Sequence, residues 1–300
     1  ADDMLTTTVL ASRCPKLVAP AMNTAMLENP ITQDNLNICR KYGMHVIEPA
    51  SGYLACGDVG AGRMSEPAQI VEAAEKLLHP RRDLEGLRVL VTAGPTMERI
   101  DPVRYLTNDS SGKMGYAIAA AAQARGASVT LVSGPVHLTA PAGVSVVPVM
   151  STQNLYDAMM THCASQDVII QAAAPADYRP AVMAPEKLKK QDGQPFVLTL
   201  VENPDVAKAV GEQKKPGQIL VGFAAETEHL LENAQKKLDK KHLDMIVAND
   251  VTQAGAGFGV DTNIVTLISH QGMKSLPLLS KTEVADRILD QVAVLRAQTH

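Results

Sequence analysis

Arg88-Val-Leu-Val-Thr92, closed by Ala93-Gly-Pro95, opens the stretch on which the fold reading turns. Its apolar run reads as a buried strand that stops at a turn. A long polar loop, Thr96 to Ser111, leads to Gly112-Lys-Met-Gly-Tyr-Ala-Ile-Ala-Ala-Ala-Ala-Gln-Ala-Arg125. That segment is rich in strong helix formers, and Gly126 closes it. Ser128-Val-Thr-Leu-Val-Ser133 reads as a second buried strand, ending at Gly134-Pro135. Strand, helix and strand at this spacing make a right-handed βαβ unit, the start of a Rossmann-like, doubly wound, mostly parallel α/β sheet. Ligands of such sheets bind at the carboxyl ends of the strands, so residues 94–112 are where chemistry is expected.

Downstream, the pattern repeats. Strands are expected over Val144–Val149, Asp167–Ala174, Phe196–Val201, Gln218–Phe223 and Asp244–Asp250. Helices are expected over Gln153–Cys163, from Asn203-Pro-Asp205 onward, and over Glu228–Lys241. A hairpin over Asn263–Ile268 and Gly272–Pro277 and a closing helix over Lys281–Ala297 complete the block. The strands end repeatedly in Gly94, Asp177, Thr227, Asn249 and Asp250, a clustering that favours a nucleotide-type site. Ser110-Ser-Gly-Lys-Met-Gly115 lacks both the P-loop pattern and the dinucleotide fingerprint. Small residues at a helix start still leave backbone N–H groups and a positive dipole end suited to phosphate.

Upstream, residues 1–79 form a separate block, with strands at Lys16–Pro20 and Met44–Glu48 and helices at Gln33–Tyr42 and Pro67–Leu78. Residues 80–86, inside Leu78-His-Pro-Arg-Arg-Asp-Leu-Glu-Gly86, are the linker, and 87–300 form the second domain. Through the resemblance that two of its motifs carry, this front block is expected to be part of a flavoprotein-type α/β domain. Its loop Gly52–Met64 is glycine-dense and carries Cys56, which reads either as a small buried hydrophobe or as a reactive group under a lid. Asn23 reads equally as a helix N-cap or a ligand contact. Asp177 is either a turn residue or the holder of a phosphate-bound cation. The basic run 186–190 is either a solvated face or a flap over a ligand.

A net charge of −4 and 3% aromatic content exclude nucleic acid as the main partner. Four cysteines without paired spacing fit reduced thiols in the cytoplasm rather than a disulfide framework or zinc site. No apolar run is long enough to span a bilayer, and no signal peptide is visible. The abrupt Ala1-Asp-Asp start suggests a fragment.

Six ordered motifs carry a resemblance: Thr92-Ala-Gly-Pro-Thr96, Asp101-Pro-Val-Arg-Tyr-Leu-Thr-Asn-Asp-Ser-Ser-Gly-Lys-Met-Gly115, Ala173-Ala-Pro-Ala-Asp-Tyr178, Glu186-Lys-Leu-Lys-Lys190, Gly222-Phe-Ala-Ala-Glu-Thr227 and Ala248-Asn-Asp250. Together they resemble bacterial phosphopantothenate–cysteine ligase of coenzyme A biosynthesis. Pro20-Ala-Met-Asn-Thr-Ala-Met26 and Leu54-Ala-Cys-Gly57 resemble the back half of the flavin-dependent phosphopantothenoylcysteine decarboxylase usually fused ahead of it. Leu27 stands where that family usually carries Trp, and the catalytic His and most of the flavin site belong to a part not seen here. The fragment is therefore expected not to decarboxylate.

The resemblance implies ligation of cysteine to 4′-phosphopantothenate, with CTP as co-substrate, Mg²⁺ for the ligase and FMN for the decarboxylase. It places Asn108 on the acyl-cytidylate and Lys187 in the amide-forming step. Gln171, Ala172, Ala173, Asp177, Pro204, Asp205, Val206, Ala207, Phe223, Lys187, Lys237 and Lys241 match nucleotide-contacting positions, Asp177 also the cation. Asn23 matches a substrate-binding Asn and Cys56 the acid that reprotonates the decarboxylated product. A homodimer is implied, with the strand pair 263–277 as a contact. The alternatives are a non-catalytic nucleotide-binding module and a nicotinamide oxidoreductase, which lacks its fingerprint here.

Overall fold

The computed structural model describes residues 1–300 apart from 54–56, 58, 79–80, 190–192, 194, 227–229, 251–256, 258 and 300, and apart from the side chains of 225–226, 230–234, 250 and 299. The chain divides into two compact units, Ala1–Arg81 and Arg82–His300.

In the larger unit an eight-stranded sheet runs through the middle. In chain order its strands are β1 (Arg88–Ala93), β2 (Ser128–Ser133), β3 (Ser145–Pro148), β4 (Val168–Gln171), β5 (Ile219–Glu226), β6 (Met245–Asp250), β7 (Val265–Ser269) and β8 (Gly272–Ser275). Across the sheet they lie in the order β3-β2-β1-β4-β5-β6-β7-β8. All neighbours from β3 to β6 are parallel, and the hairpin β7–β8 joins antiparallel. The chain moves outward from β1 in one direction and restarts at β4 in the other. Between those two strands lies the topological switch point.

The strands are apolar on both sides because both faces are covered. Val89, Val91 and Ala93 point toward helices α1 (Lys113–Ala124) and α5 (Lys281–Thr299), meeting Ile118, Ala122, Val284 and Ile288. Leu90, Ile169, Leu220 and Ile246 point the other way, toward α2 (Thr152–His162), α3 (Val206–Glu212) and α4 (Leu230–Lys240). Period-two alternation thus sorts one apolar run into two cores. Arg125, only 5% exposed, caps α1 and binds Asp83 at 2.9 and 2.5 Å and Asp290 at 2.9 Å, tying the domain entrance to α5.

The βαβ expectation holds to within a residue, and the hairpin and closing helix are where the sequence places them. Two expectations fail. The polar loop Thr96–Ser111 contains a hairpin, Met97–Arg99 with Tyr105–Thr107. Its turn is built by Asp101, whose Oδ1 accepts the Val103 and Arg104 N–H groups at 2.8 Å. Conversely, the strand expected over Phe196–Val201 shrinks to Leu200–Glu202, paired only with Tyr178–Pro180. Phe196 and Val197 are 58% and 81% exposed, so no burial rewards extending the ladder.

The smaller unit holds helices Met4–Ala11, Thr24–Glu28, Pro30–Lys41 and Pro67–Leu78, a short parallel pair Leu17–Val18 with His45–Val46, and a hairpin Ala50–Tyr53 with Val59–Arg63.

Gly115 sets how closely α1 approaches β1. A Cβ there would lie 2.6 Å from Ala93 Cβ and 2.8 Å from Thr92 O, both fixed by the sheet. Gly115→Ala gains about 1 kcal/mol of helix propensity but overpacks at a cost of about 1–3 kcal/mol. The predicted net result is a loss of up to about 2 kcal/mol of stability, read as a lower denaturant midpoint at unchanged m-value; a higher midpoint would contradict the packing.

Candidate functional site

Two adjoining cavities open at the carboxyl ends of β1, β4 and β5. The smaller, about 200 Å³, is lined by Gln171, Ala173, Asp177, Pro204, Asp205, Val206, Ala207, Phe223, Lys237 and Lys241, together with Thr92, Thr152 and Gly222. The larger, about 470 Å³, is lined by 108–115, by Ala172 and the Ala173–Pro175 turn, and by Asn249, Asn263 and Lys281. Ala173, Pro175, Asp177, Phe223 and Lys237 belong to both walls. Residues drawn from separated motifs therefore converge.

The turn after β4 is fixed from every side. Ala173 N–H donates to Thr92 Oγ1 at 3.0 Å, and Ala174 N–H donates to Gly94 O at 2.9 Å. Ala176 N–H donates to Thr96 Oγ1, which also bonds Thr152 Oγ1 at 2.8 Å in a buried pair. Asn203 Nδ2 donates to Ala176 O at 2.9 Å. The amide N–H of Ala173 is thereby committed within the fold. Asn108 leans onto the turn from the opposite wall, its Nδ2 donating to Pro175 O at 2.9 Å and Ala174 O at 3.3 Å.

Gln171 is the observation that speaks most directly for a ligand. Its Nε2 is buried with no hydrogen-bond partner. A buried orphan donor costs about 1–3 kcal/mol, a cost removed when a ligand acceptor enters the smaller cavity. Asp205 and Lys241 form the rim. Asp205 caps α3 through Lys208 N–H at 3.0 Å and pairs with Lys241 Nζ at 3.0 Å. Burial pushes the Asp205 carboxyl up, but these two donors outweigh it and hold it below its ordinary range.

At the larger cavity α1 begins with Gly112 in the left-handed conformation, φ 75°, and Ser111 Oγ accepts the Lys113 N–H of its first turn at 3.5 Å. Lys113 Nζ donates to Asp261 at 2.7 Å and to Gly259 O at 2.8 Å. Lys281, 7% exposed, donates to Gly257 O at 3.3 Å. Burial, then the charge of Lys113, push its ammonium below the usual lysine range, against the pull of Asp261. The sequence reading missed Lys281, because its burial depends on chain segments far from it.

Asp177 stands exposed at the junction of the cavities. Among the described residues no group of three or more His, Cys, Asp or Glu is placed to hold a metal. One carboxylate plus ligand phosphates is nonetheless the usual setting for Mg²⁺, so Asp177 fits a cation brought in with a polyphosphate.

Lys187 is not on either cavity wall and is exposed. Its neighbour Leu188 is held, however: Leu188 N–H donates to Asp101 Oδ2 at 3.2 Å, and Arg104 Nη2 donates to Leu188 O at 2.9 Å. Asp101, fully buried, also binds Arg104 at 2.6 Å. The Arg104 guanidinium first, aided by backbone N–H groups, holds the Asp101 carboxyl well below the usual range despite burial. Asp101 and Arg104 thus anchor the basic run next to Lys187.

In the smaller unit Asn23 caps Thr24–Glu28, its Oδ1 accepting Ala25 N–H at 2.8 Å. The glycine hairpin is pinned to this segment by Met22 N–H to Gly62 O at 2.9 Å and Thr24 Oγ1 to Ala61 O at 2.7 Å. A Cβ on Gly62 would sit 2.1 Å from Met22 O, which is why glycine stands there. The two loops singled out by sequence therefore meet, while Cys56 lies outside the described residues.

Fold and site define a doubly wound α/β protein with a phosphate-suited ligand site at its switch point. A family model described as "DNA/pantothenate metabolism flavoprotein C-terminal domain" matches residues 84–295, and one described as "Flavoprotein" matches residues 1–79. The coenzyme A biosynthesis bifunctional protein CoaBC of Bacillus subtilis strain 168 is 50% identical over 303 residues, covering 100% of this chain and 74% of the relative. That of Escherichia coli K12 is 45% identical, covering 97% and 72%. The crystal structure of the C-terminal domain of a CoaBC protein superposes with a TM-score of 0.62 at 45% identity, covering 72% of this chain and 99% of that one. The chain belongs to this family of bifunctional coenzyme A biosynthesis enzymes. The expected mixed α/β fold is borne out, and so, at this level, are the expected ligase and the decarboxylase of the parent protein. Among the described residues no helix is long and apolar enough to cross a membrane.

Asp101→Asn is predicted to free the basic run. Since the folded-state pKa is lowered, the stabilisation from Asp101 is complete above the ordinary carboxylate range and fades only as pH falls through the lowered value. An NMR titration of the Asp101 carboxyl is expected to give a midpoint below that of exposed aspartates; a midpoint at or above theirs would contradict the anchor.

Proposed function

We propose that residues 87–300 join cysteine to 4′-phosphopantothenate with CTP, following a front decarboxylase part at 1–79 and a linker at 80–86. The single observation that carries the nucleotide reading is the buried, partnerless Nε2 of Gln171 at the wall of a cavity of only about 200 Å³. Its N–H fits a base acceptor such as the cytosine carbonyl, Phe223 supplies an apolar surface beside it, and the choice of cytidine rests on the family.

The chemistry follows from charge. A carboxylate oxygen of phosphopantothenate bonds the α-phosphorus, and the bond to pyrophosphate breaks. The cysteine amine then attacks the acyl carbon and loses a proton, and CMP leaves with the former carboxylate oxygen. Two anions must meet in the first step, so preorganised positive groups carry the catalysis. Lys237 stands at the junction of the cavities, and Lys241 rims the smaller one. Mg²⁺ held at Asp177 would neutralise phosphate charge. Asn108, anchored to the Ala174–Pro175 turn, borders the cavity where the acyl-cytidylate forms. Lys187, on the run tethered through Leu188, serves the amide-forming step.

The flavin partner of the front unit is FMN. There the Oδ1 of Asn23 is engaged in its helix cap. The protein is proposed to be cytoplasmic and dimeric. Exposed Val103, Tyr178, Val182, Phe196 and Val197 on the two small hairpins and the segments beside them, and exposed Met273 on the strand pair 263–277, are the apolar surfaces that support a dimer face.

Pyrophosphate release is the test, measured with phosphopantothenate, cysteine, Mg²⁺ and either CTP or ATP. Release is expected with CTP and to depend on phosphopantothenate; release with ATP alone would discard the cytidine assignment. Asn108→Ala is predicted to lower kcat by about 100-fold, as for loss of one preorganised polar group. Unchanged turnover would remove Asn108 from the site.

A further inference from the structure

Lys281 is read from sequence only as the start of the closing helix, yet the fold turns it inward. It lines the larger cavity together with Lys113 and Asn263. Both ammoniums hold the same short segment: Lys281 donates to Gly257 O at 3.3 Å and also to Val260 O, and Lys113 donates to Gly259 O and Asp261. Two cations in one cavity, one of them 7% exposed, repel each other in a weakly screened setting. The Asp261 carboxylate that faces them is largely solvated, its side chain 88% exposed, so it offsets their charge only in part. The start of α1 adds a third positive feature, its N-cap Gly112 having no side chain and its first turn met only by a long 3.5 Å bond from Lys113 N–H to Ser111 Oγ.

We propose that Lys281, together with Lys113 and the start of α1, binds the two terminal phosphates of the nucleoside triphosphate and so receives the departing pyrophosphate. This rests on the ligase reading given above. Neither lysine lines the smaller cavity, where the nucleoside is assigned, and both lie past the wall that the cavities share. A triphosphate running from one cavity into the other brings its α-phosphate to the shared wall and its outer phosphates to the lysines. When the α-phosphorus–oxygen bond breaks, the bonding electrons go to the pyrophosphate oxygen. The lysines stabilise that developing charge where it appears. The phosphate of phosphopantothenate is the other anion available to the same chemistry, with less charge to balance two ammoniums and a helix end.

Lys281→Met, Lys281→Arg and Lys113→Met variants decide the matter with inorganic pyrophosphate as probe. Magnesium pyrophosphate binding is measured by calorimetry, which needs no turnover, and pyrophosphate inhibition is measured against CTP. In Lys281→Met, the pyrophosphate Kd and the KM for CTP are expected to rise by about tenfold. The KM for phosphopantothenate is expected to hold, and Lys281→Arg to restore most of the loss. Lys113→Met, at a less buried side chain, is expected to move the same constants in the same direction and stands in if Lys281→Met does not fold. Unchanged pyrophosphate affinity in the folded variants overturns the proposal. So does a rise confined to the KM for phosphopantothenate. Wild-type protein that binds pyrophosphate through these lysines but shows no CTP-dependent turnover would sink the ligase reading while sparing this one.

Discussion

The close approach of Gly115 to the carboxyl end of β1 is the constraint on which the larger unit depends. With no side chain between them, the first turn of α1 seats directly against Ala93 and Thr92. That contact brings the start of α1, with its first-turn backbone donors, to the place where β1 and β4 diverge. Thr92 then completes the arrangement by accepting the N–H of Ala173 across the switch point. Helix, strand end and the next strand's turn are thus locked by one small residue and one hydroxyl. The two cavities are what remains between them.

Around that lock, polar groups are committed rather than spare. The Thr96–Thr152 pair, the cap of Asp205 and the anchoring of Asn203 fix the loops before any ligand arrives. Such preorganisation is what a site needs when two anions must be brought together, since positive groups already in place cost no reorganisation. At the cavities themselves, among the described residues, Gln171 keeps an orphan donor and Lys281 shares its cavity with Lys113.

Much of this was legible in the residues. The run Val89–Val91, the alanine-rich 117–122 and the Gly112 and Gly126 boundaries announce the βαβ unit because burial on both faces and helix propensity are local signals. Asp177 also announced itself, past the end of a strand, while Asn108 and Phe223 were marked by the motifs they sit in. What escaped was non-local or unsupported by periodicity. The hairpin at 97–107 hides behind polar residues, although Asp101-Pro-Val-Arg104 carries an Asp-Pro turn signal that would have found it. The helix Met4–Ala11 has no buried face, so no amphipathic period marks it. Lys281 gains its meaning from the segment 257–261, which no pattern near it encodes.

The central claim is that phosphopantothenate is activated through its own carboxylate on the α-phosphorus of CTP. Heavy-oxygen labelling of that carboxylate tests it most directly, with mass spectrometry of the products after a single turnover. One labelled oxygen is predicted to appear in the phosphate of CMP, and none in pyrophosphate. Unlabelled CMP alongside formed phosphopantothenoylcysteine would contradict the account, because the bond proposed to form first would never have existed.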